Sequence, residues 1–91
     1  MRPLADGDIL NIDVSLYHDG VHGDLNDTVP VGNVDARGLE LIGCARDCLY
    51  KAIEIVKPGV PYREIGEVIE RHAKSKGFSV VRSYCGHGIN E

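Results

Sequence analysis

Residues 9 to 17, ILNIDVSLY, alternate with a period of two. Leu10, Ile12, Val14 and Leu16 fall on one side, and Asn11, Asp13, Ser15 and Tyr17 on the other, which predicts a strand with one apolar face. His18-Asp19-Gly20 follows, and an Asp-Gly pair between two alternating runs predicts a tight hairpin turn. The run VHGDLNDTV alternates again: His22, Asp24, Asn26 and Thr28 share one face, while Val21, Leu25 and Val29 share the other. With Asp19-Gly20 as the two-residue turn, residue i pairs with residue 39 − i, so Asp13 faces Asn26 and Ser15 faces Asp24. Both polar sets then lie on one side of the sheet. Asp13 and Asp24 become diagonal neighbours there, at the roughly 7–8 Å between Cα atoms usual for such pairs. Gly23 could permit a bulge, which would shift this register.

The period then changes. Asp35 can cap a helix running to about Lys57, with Leu39, Ile42, Ala45, Leu49, Ala52, Ile53 and Val56 as its inward stripe. Pro58-Gly59 ends it. A second helix is expected from about Tyr62 to Lys76, with Ile65, Val68, Ile69, His72 and Ala73 inward and Gly77 as its stop. His72 on that stripe reads as a helix-packing or boundary residue. A further strand, 78-FSVVR-82, is expected to deliver the chain into the loop 83-SYCGHGI-89. The elements describe an α/β (α+β) chain: an antiparallel hairpin, two helices, then a third strand leading to the GHG loop.

Ninety-one residues suffice for one small domain with a modest core. A net charge of −4 argues against a nucleic-acid or anionic-membrane partner, which would want a basic patch. No apolar run approaches the roughly 18 residues needed to span a bilayer. The start, MRPLADGD, has no charged-then-apolar layout, so no signal peptide is expected. Three cysteines, Cys44, Cys48 and Cys85, form no C-x-x-C and no disulfide framework. Cys44 and Cys48 share a helix face and read as small buried apolar residues in a reducing compartment. The hairpin starts almost at once and the chain stops inside a loop. Neither end resembles a domain boundary, so a piece of a longer protein is expected.

Two acids on neighbouring positions repel unless a positive charge lies between them. On an open surface, water and salt screen most of that cost, so a solvated polar face is the simpler reading of the hairpin alone. A calcium loop is excluded. Asp24 to Asp35 spans the twelve residues of an EF-hand loop, but its sixth position is Val29 rather than Gly and its seventh is Pro30. His87, between Gly86 and Gly88, changes the balance, because flanking glycines let backbone come close to another group. An Asp/Asp/His set suits Zn, Mn, Fe or Co rather than a thiolate site. The residues alone leave both readings open.

The blocks DGDILNIDV, HDGVHGD, VKPGVPYREIG and GFSVVRSYCGHGI, in that order, resemble the catalytic domain of the type 1 methionine aminopeptidases, the pita-bread metallopeptidases. The resemblance runs through essentially the whole chain, and RPLADGD, HGDLNDT and RSYCGHG look closest to the eukaryotic cytosolic form. It implies the N-terminal half of a pita-bread fold, with residues 1–91 a part of the catalytic domain incomplete at both ends. It also implies a centre of two divalent metal ions (Co, Mn, Zn or Fe) held by two Asp, one His and two Glu. Asp13, Asp24 and His87 match the two Asp and the His, with Asp24 as the bridging ligand. The segments carrying both Glu and the auxiliary His residues are not matched here, so no catalytic acid or base is assigned and this chain alone is expected to be inactive. By the same resemblance Tyr84 and Cys85 lie near the pocket for the methionine side chain. The implied reaction removes the initiator Met from nascent chains in the cytoplasm. Ribosome association is implied for the full-length protein, with neither a membrane nor a direct nucleic-acid partner. The alternative is a non-catalytic pita-bread module that binds partners; such modules typically lose metal ligands, and Asp13, Asp24 and His87 speak against it. The wording around His87 also speaks against a proline-specific or creatinase-like relative. A half of the fold is expected to expose apolar sheet surface and to self-associate.

Overall fold

In the computed structural model, which describes residues 2–89, two strands are followed by two helices: β1 (Ile9–His18), β2 (Val21–Pro30), α1 (Ala36–Ile55) and α2 (Tyr62–Ser75). The strands pair antiparallel in the expected register, with Asp13 opposite Asn26, Ser15 opposite Asp24 and no bulge at Gly23. Asp19 and Gly20 make the turn with φ of 56° and 86°. Two successive positive φ values define the type I′ turn, whose twist matches that of the strands it joins. The residues before β1 are tied down as well. Arg2 donates from both terminal nitrogens to Asp8, at 2.9 and 3.0 Å, and the Val31 amide donates to the Asp8 carbonyl at 2.8 Å.

Asp35 caps α1, accepting from the Gly38 amide at 2.7 Å. The helix stops at Ile55, two residues short of the expected end, since Val56 is already extended ahead of Pro58. Helix α2 closes through a Schellman turn. The Phe78 amide donates to the Ala73 carbonyl at 2.9 Å and the Gly77 amide to that of Lys74 at 3.0 Å, with Gly77 at φ 80°. This turn throws Phe78 back onto the helix pair. There Cys44, Cys48 and Ala73 form the buried cluster, with Ile69 and Phe78 packed against it. These small side chains let α1 and α2 approach closely. Cys48 donates its thiol toward the Ile69 carbonyl at 3.6 Å, and burial together with the neighbouring Cys44 pushes its pKa up. Cys44 and Cys48 are therefore core residues, as read from their spacing, whereas Cys85 is exposed. His72 is half-buried between the helices, its Nε2 3.7 Å from Asp47 Oδ2.

Two expectations are corrected. The stretch 78–82 is not a strand: among the described residues the sheet contains β1 and β2 alone. A β-rich run becomes a strand only when a partner completes its ladder, and Phe78 is instead committed to the helix pair. The apolar stripe of α1 is also only partly buried. Ile42 and Ala52 are inside, but Leu39, Ala45, Leu49, Ile53 and Val56 are exposed, because α2 covers the side of α1 carrying Cys44 and Cys48 while β2 touches α1 only lightly. The apolar face of the hairpin is likewise open: Leu16 is 64% exposed and Leu25 68%. Among the described residues no helix is long and apolar enough to cross a membrane.

Candidate metal centre

The ladder fixes one half of the site. Asp13 and Asp24 project from β1 and β2 onto the same face, diagonal to each other through their partners Asn26 and Ser15. Neutral hydrogen bonds run along this face. Ser15 Oγ donates to Asp24 Oδ1 at 3.2 Å, and Asn11 Nδ2 donates to Asn26 Oδ1 and Thr28 Oγ1, both at 3.0 Å. Tyr17 and His22, directly opposed near the turn, meet edge to face with ring centroids 4.8 Å apart.

The other half arrives from the far end of the chain. The segment leaving α2 is held first at Phe78, where the Arg37 guanidinium lies 4.0 Å from the ring centroid and donates to the Gly77 carbonyl at 2.9 Å. It is held again at Arg82, which donates to Glu70 at 2.9 Å. Lys74 and Arg82 together keep the Glu70 carboxyl below its usual pKa. Beyond these anchors His87 reaches back across the fold and places Nε2 3.3 Å from Asp24 Oδ2.

The His87 ring shows what chemistry this contact can support. Its Nδ1 lies 2.9 Å from the Gly88 carbonyl oxygen, which can only accept, so Nδ1 carries the proton. In the neutral ring Nε2 then presents a lone pair to a carboxylate that also has only lone pairs. A proton or a metal cation between them resolves that confrontation. The 3.3 Å separation also resembles the edge between two donors on one ion, about 3.0–3.4 Å when each donor lies about 2.1 Å from the metal. By donor chemistry and spacing, Asp24 and His87 fit a divalent cation.

The structure brings together two of the three expected ligands. Asp13 shares their face, but among the described residues no three His, Cys, Asp or Glu side chains converge closely enough to hold a metal. Tyr84 and Cys85 stand exposed on the segment before His87. A cavity of about 610 Å³ between β2 and α1 reaches Asp24 and is walled by Leu25, Ile42, Leu49 and the Asp27–Arg46 ion pair. Arg46 and Ser15 were not singled out as site residues from the sequence. Ser15 was signalled by the register that set it opposite Asp24; Arg46 carried no such mark.

The model of metallopeptidase family M24 matches residues 1–90. The chain is 59% identical over 88 residues to methionine aminopeptidase 1 of Dictyostelium discoideum, a match covering 97% of this chain and 24% of that protein. It is 60% identical over 90 residues to methionine aminopeptidase 1A of Arabidopsis thaliana, covering 99% and 23%. The crystal structure of methionine aminopeptidase from Rickettsia prowazekii superposes with a TM-score of 0.92 at 43% identity, over 97% of this chain and 36% of that one. The chain thus spans about a quarter of the length of these two curated relatives.

Proposed function

Since the chain belongs to metallopeptidase family M24, we propose that it supplies part of a divalent-metal centre that removes the N-terminal methionine from nascent proteins. Asp13, Asp24 and His87 are its metal ligands. The observation that carries this reading is the His87 Nε2–Asp24 Oδ2 contact at 3.3 Å, made by a ring whose other nitrogen is already satisfied by Gly88. Carboxylate oxygens offset the charge of a dication, and a neutral imidazole adds a nitrogen donor without adding charge. The relatives named as methionine aminopeptidases support a peptide substrate beginning with Met.

When bound, the metal supplies a nucleophilic hydroxide at neutral pH and polarises the scissile carbonyl. The work of this chain's own residues is positional. The rigid ladder holds both acids on one face, the Gly88 carbonyl fixes the His87 tautomer, and Tyr84 and Cys85 border the methionine side chain. Two ions drawn from Co, Mn, Zn or Fe, a cytoplasmic location and ribosome association of the full-length protein complete the proposal. These 91 residues alone are inactive, because three ligands without a carboxylate base leave the centre incomplete. In the full-length protein, Asp24→Ala abolishes release of Met from Met-Gly peptides; a fully active variant contradicts the assignment. A partner-binding module would show no turnover in the full-length protein even before mutation.

A further inference from the structure

We propose that Ser15 is a positioning residue for this centre: its hydroxyl holds Oδ1 of Asp24 and thereby turns Oδ2 toward His87. The inference rests on the metal-site reading above and adds the group that sets the orientation of its central carboxylate.

An Asp carboxylate rotates about a broad terminal torsion, so the backbone alone does not decide which oxygen points where. Something must hold the plane. His87 cannot do it by itself, since it lies on a segment without regular structure and is flanked by two glycines. Ser15 can, because it sits directly opposite Asp24 on the same antiparallel ladder, its Oγ 3.2 Å from Oδ1. The two oxygens of Asp24 therefore have different partners: Oδ1 the Ser15 hydroxyl, Oδ2 the His87 ring at 3.3 Å.

The residue type matters. A hydroxyl donates one hydrogen bond without adding charge, so Asp24 keeps the negative charge a dication needs. A Lys or Arg at this position would engage the carboxylate more strongly but would repel the cation. Thr keeps the hydroxyl and suits a strand; Ala removes it. Ser15 is exposed, so truncation leaves no cavity in the core.

The test compares the full-length protein, which carries the complete centre, with its Ser15→Ala, Ser15→Thr and Asp24→Ala variants. Mn²⁺ alone is titrated by calorimetry, with circular dichroism recording that the secondary structure is retained. A second, metal-free readout is the nuclear Overhauser contact between the His87 ring and the Asp24 β protons. Ser15→Ala weakens Mn²⁺ binding by about tenfold or more, the usual effect of losing a partner that orients a ligand, and loses the His87–Asp24 contact. Ser15→Thr restores both. Wild-type affinity and an intact contact in Ser15→Ala, or no rescue by Thr, overturn the role of Ser15 while a weakened Asp24→Ala leaves the metal site standing. Unchanged affinity in Asp24→Ala overturns the site itself, and this proposal with it.

Discussion

The guanidinium of Arg37, in the first turn of α1, lies 4.0 Å from the ring centroid of Phe78 and donates to the Gly77 carbonyl at 2.9 Å. One side chain thereby caps the C-terminal end of α2, covers the ring that seals the helix pair, and ties the start of one helix to the end of the other. It also holds the root of the segment that carries His87.

Arg37→Ala therefore removes a cation–π contact and a charge-assisted cap together, and lowers stability by about 1–2 kcal/mol. Urea unfolding measures this. Arg37→Lys recovers only part of the loss, since an ammonium cannot both lie flat on the ring and reach the carbonyls. A Lys variant as stable as the wild type contradicts the account of the clamp.

The contact between β2 and α1 is pH-dependent. Asp27 has its pKa lowered from 3.8, first by the hydrogen bond from Arg46 and then by the Thr28 amide. A carboxyl whose pKa is lower folded than unfolded contributes its stability above about pH 3.8, and that contribution is lost as the pH falls through the lowered folded value. In Arg46→Met the Asp27 titration, followed by nuclear magnetic resonance, moves up toward 3.8. An unmoved midpoint contradicts the ion pair. Because both groups are exposed, the effect on overall stability is small.

Leu16, Val21 and Leu25 on the sheet, with Leu49 and Ile53 on α1, leave apolar surface open to water. The 91-residue chain is expected to self-associate through this surface. Sedimentation velocity then shows mass rising with concentration, and Leu16→Lys with Leu25→Glu suppresses it. A wild-type chain that stays monomeric at high concentration contradicts this.

The hairpin was legible because its information is local. Strict alternation and one Asp-Gly pair fixed the turn, and the turn fixed every cross-strand partner, including Ser15 opposite Asp24. The helix ends were legible to within two residues for the same reason, since Asp35, Pro58 and Gly77 act on their own neighbourhood. The third strand was not, because a ladder depends on a partner elsewhere and FSVVR carries only the propensity. The burial of Leu39, Leu49, Ile53 and Val56 was misjudged because periodicity reports which residues share a face, not whether anything covers it. In the candidate site, the shared face of Asp13 and Asp24 followed from register, and His87 was picked out by its glycines. The arrival of His87 at Asp24 depends on anchors at Arg37 and Arg82, whose partners lie on other elements and leave no pattern in the sequence.

In the proposed centre Asp24 and His87 are neighbouring donors to one divalent cation. Titrating Mn²⁺ into the full-length protein and into its His87→Ala variant, with Co²⁺ absorption as a second probe of coordination, decides this. Binding is saturable in the wild type and weakened at least about tenfold in the variant, with the Co²⁺ ligand-field bands shifted and changed in intensity by loss of a nitrogen donor. Identical affinity and an identical Co²⁺ spectrum in His87→Ala would contradict it.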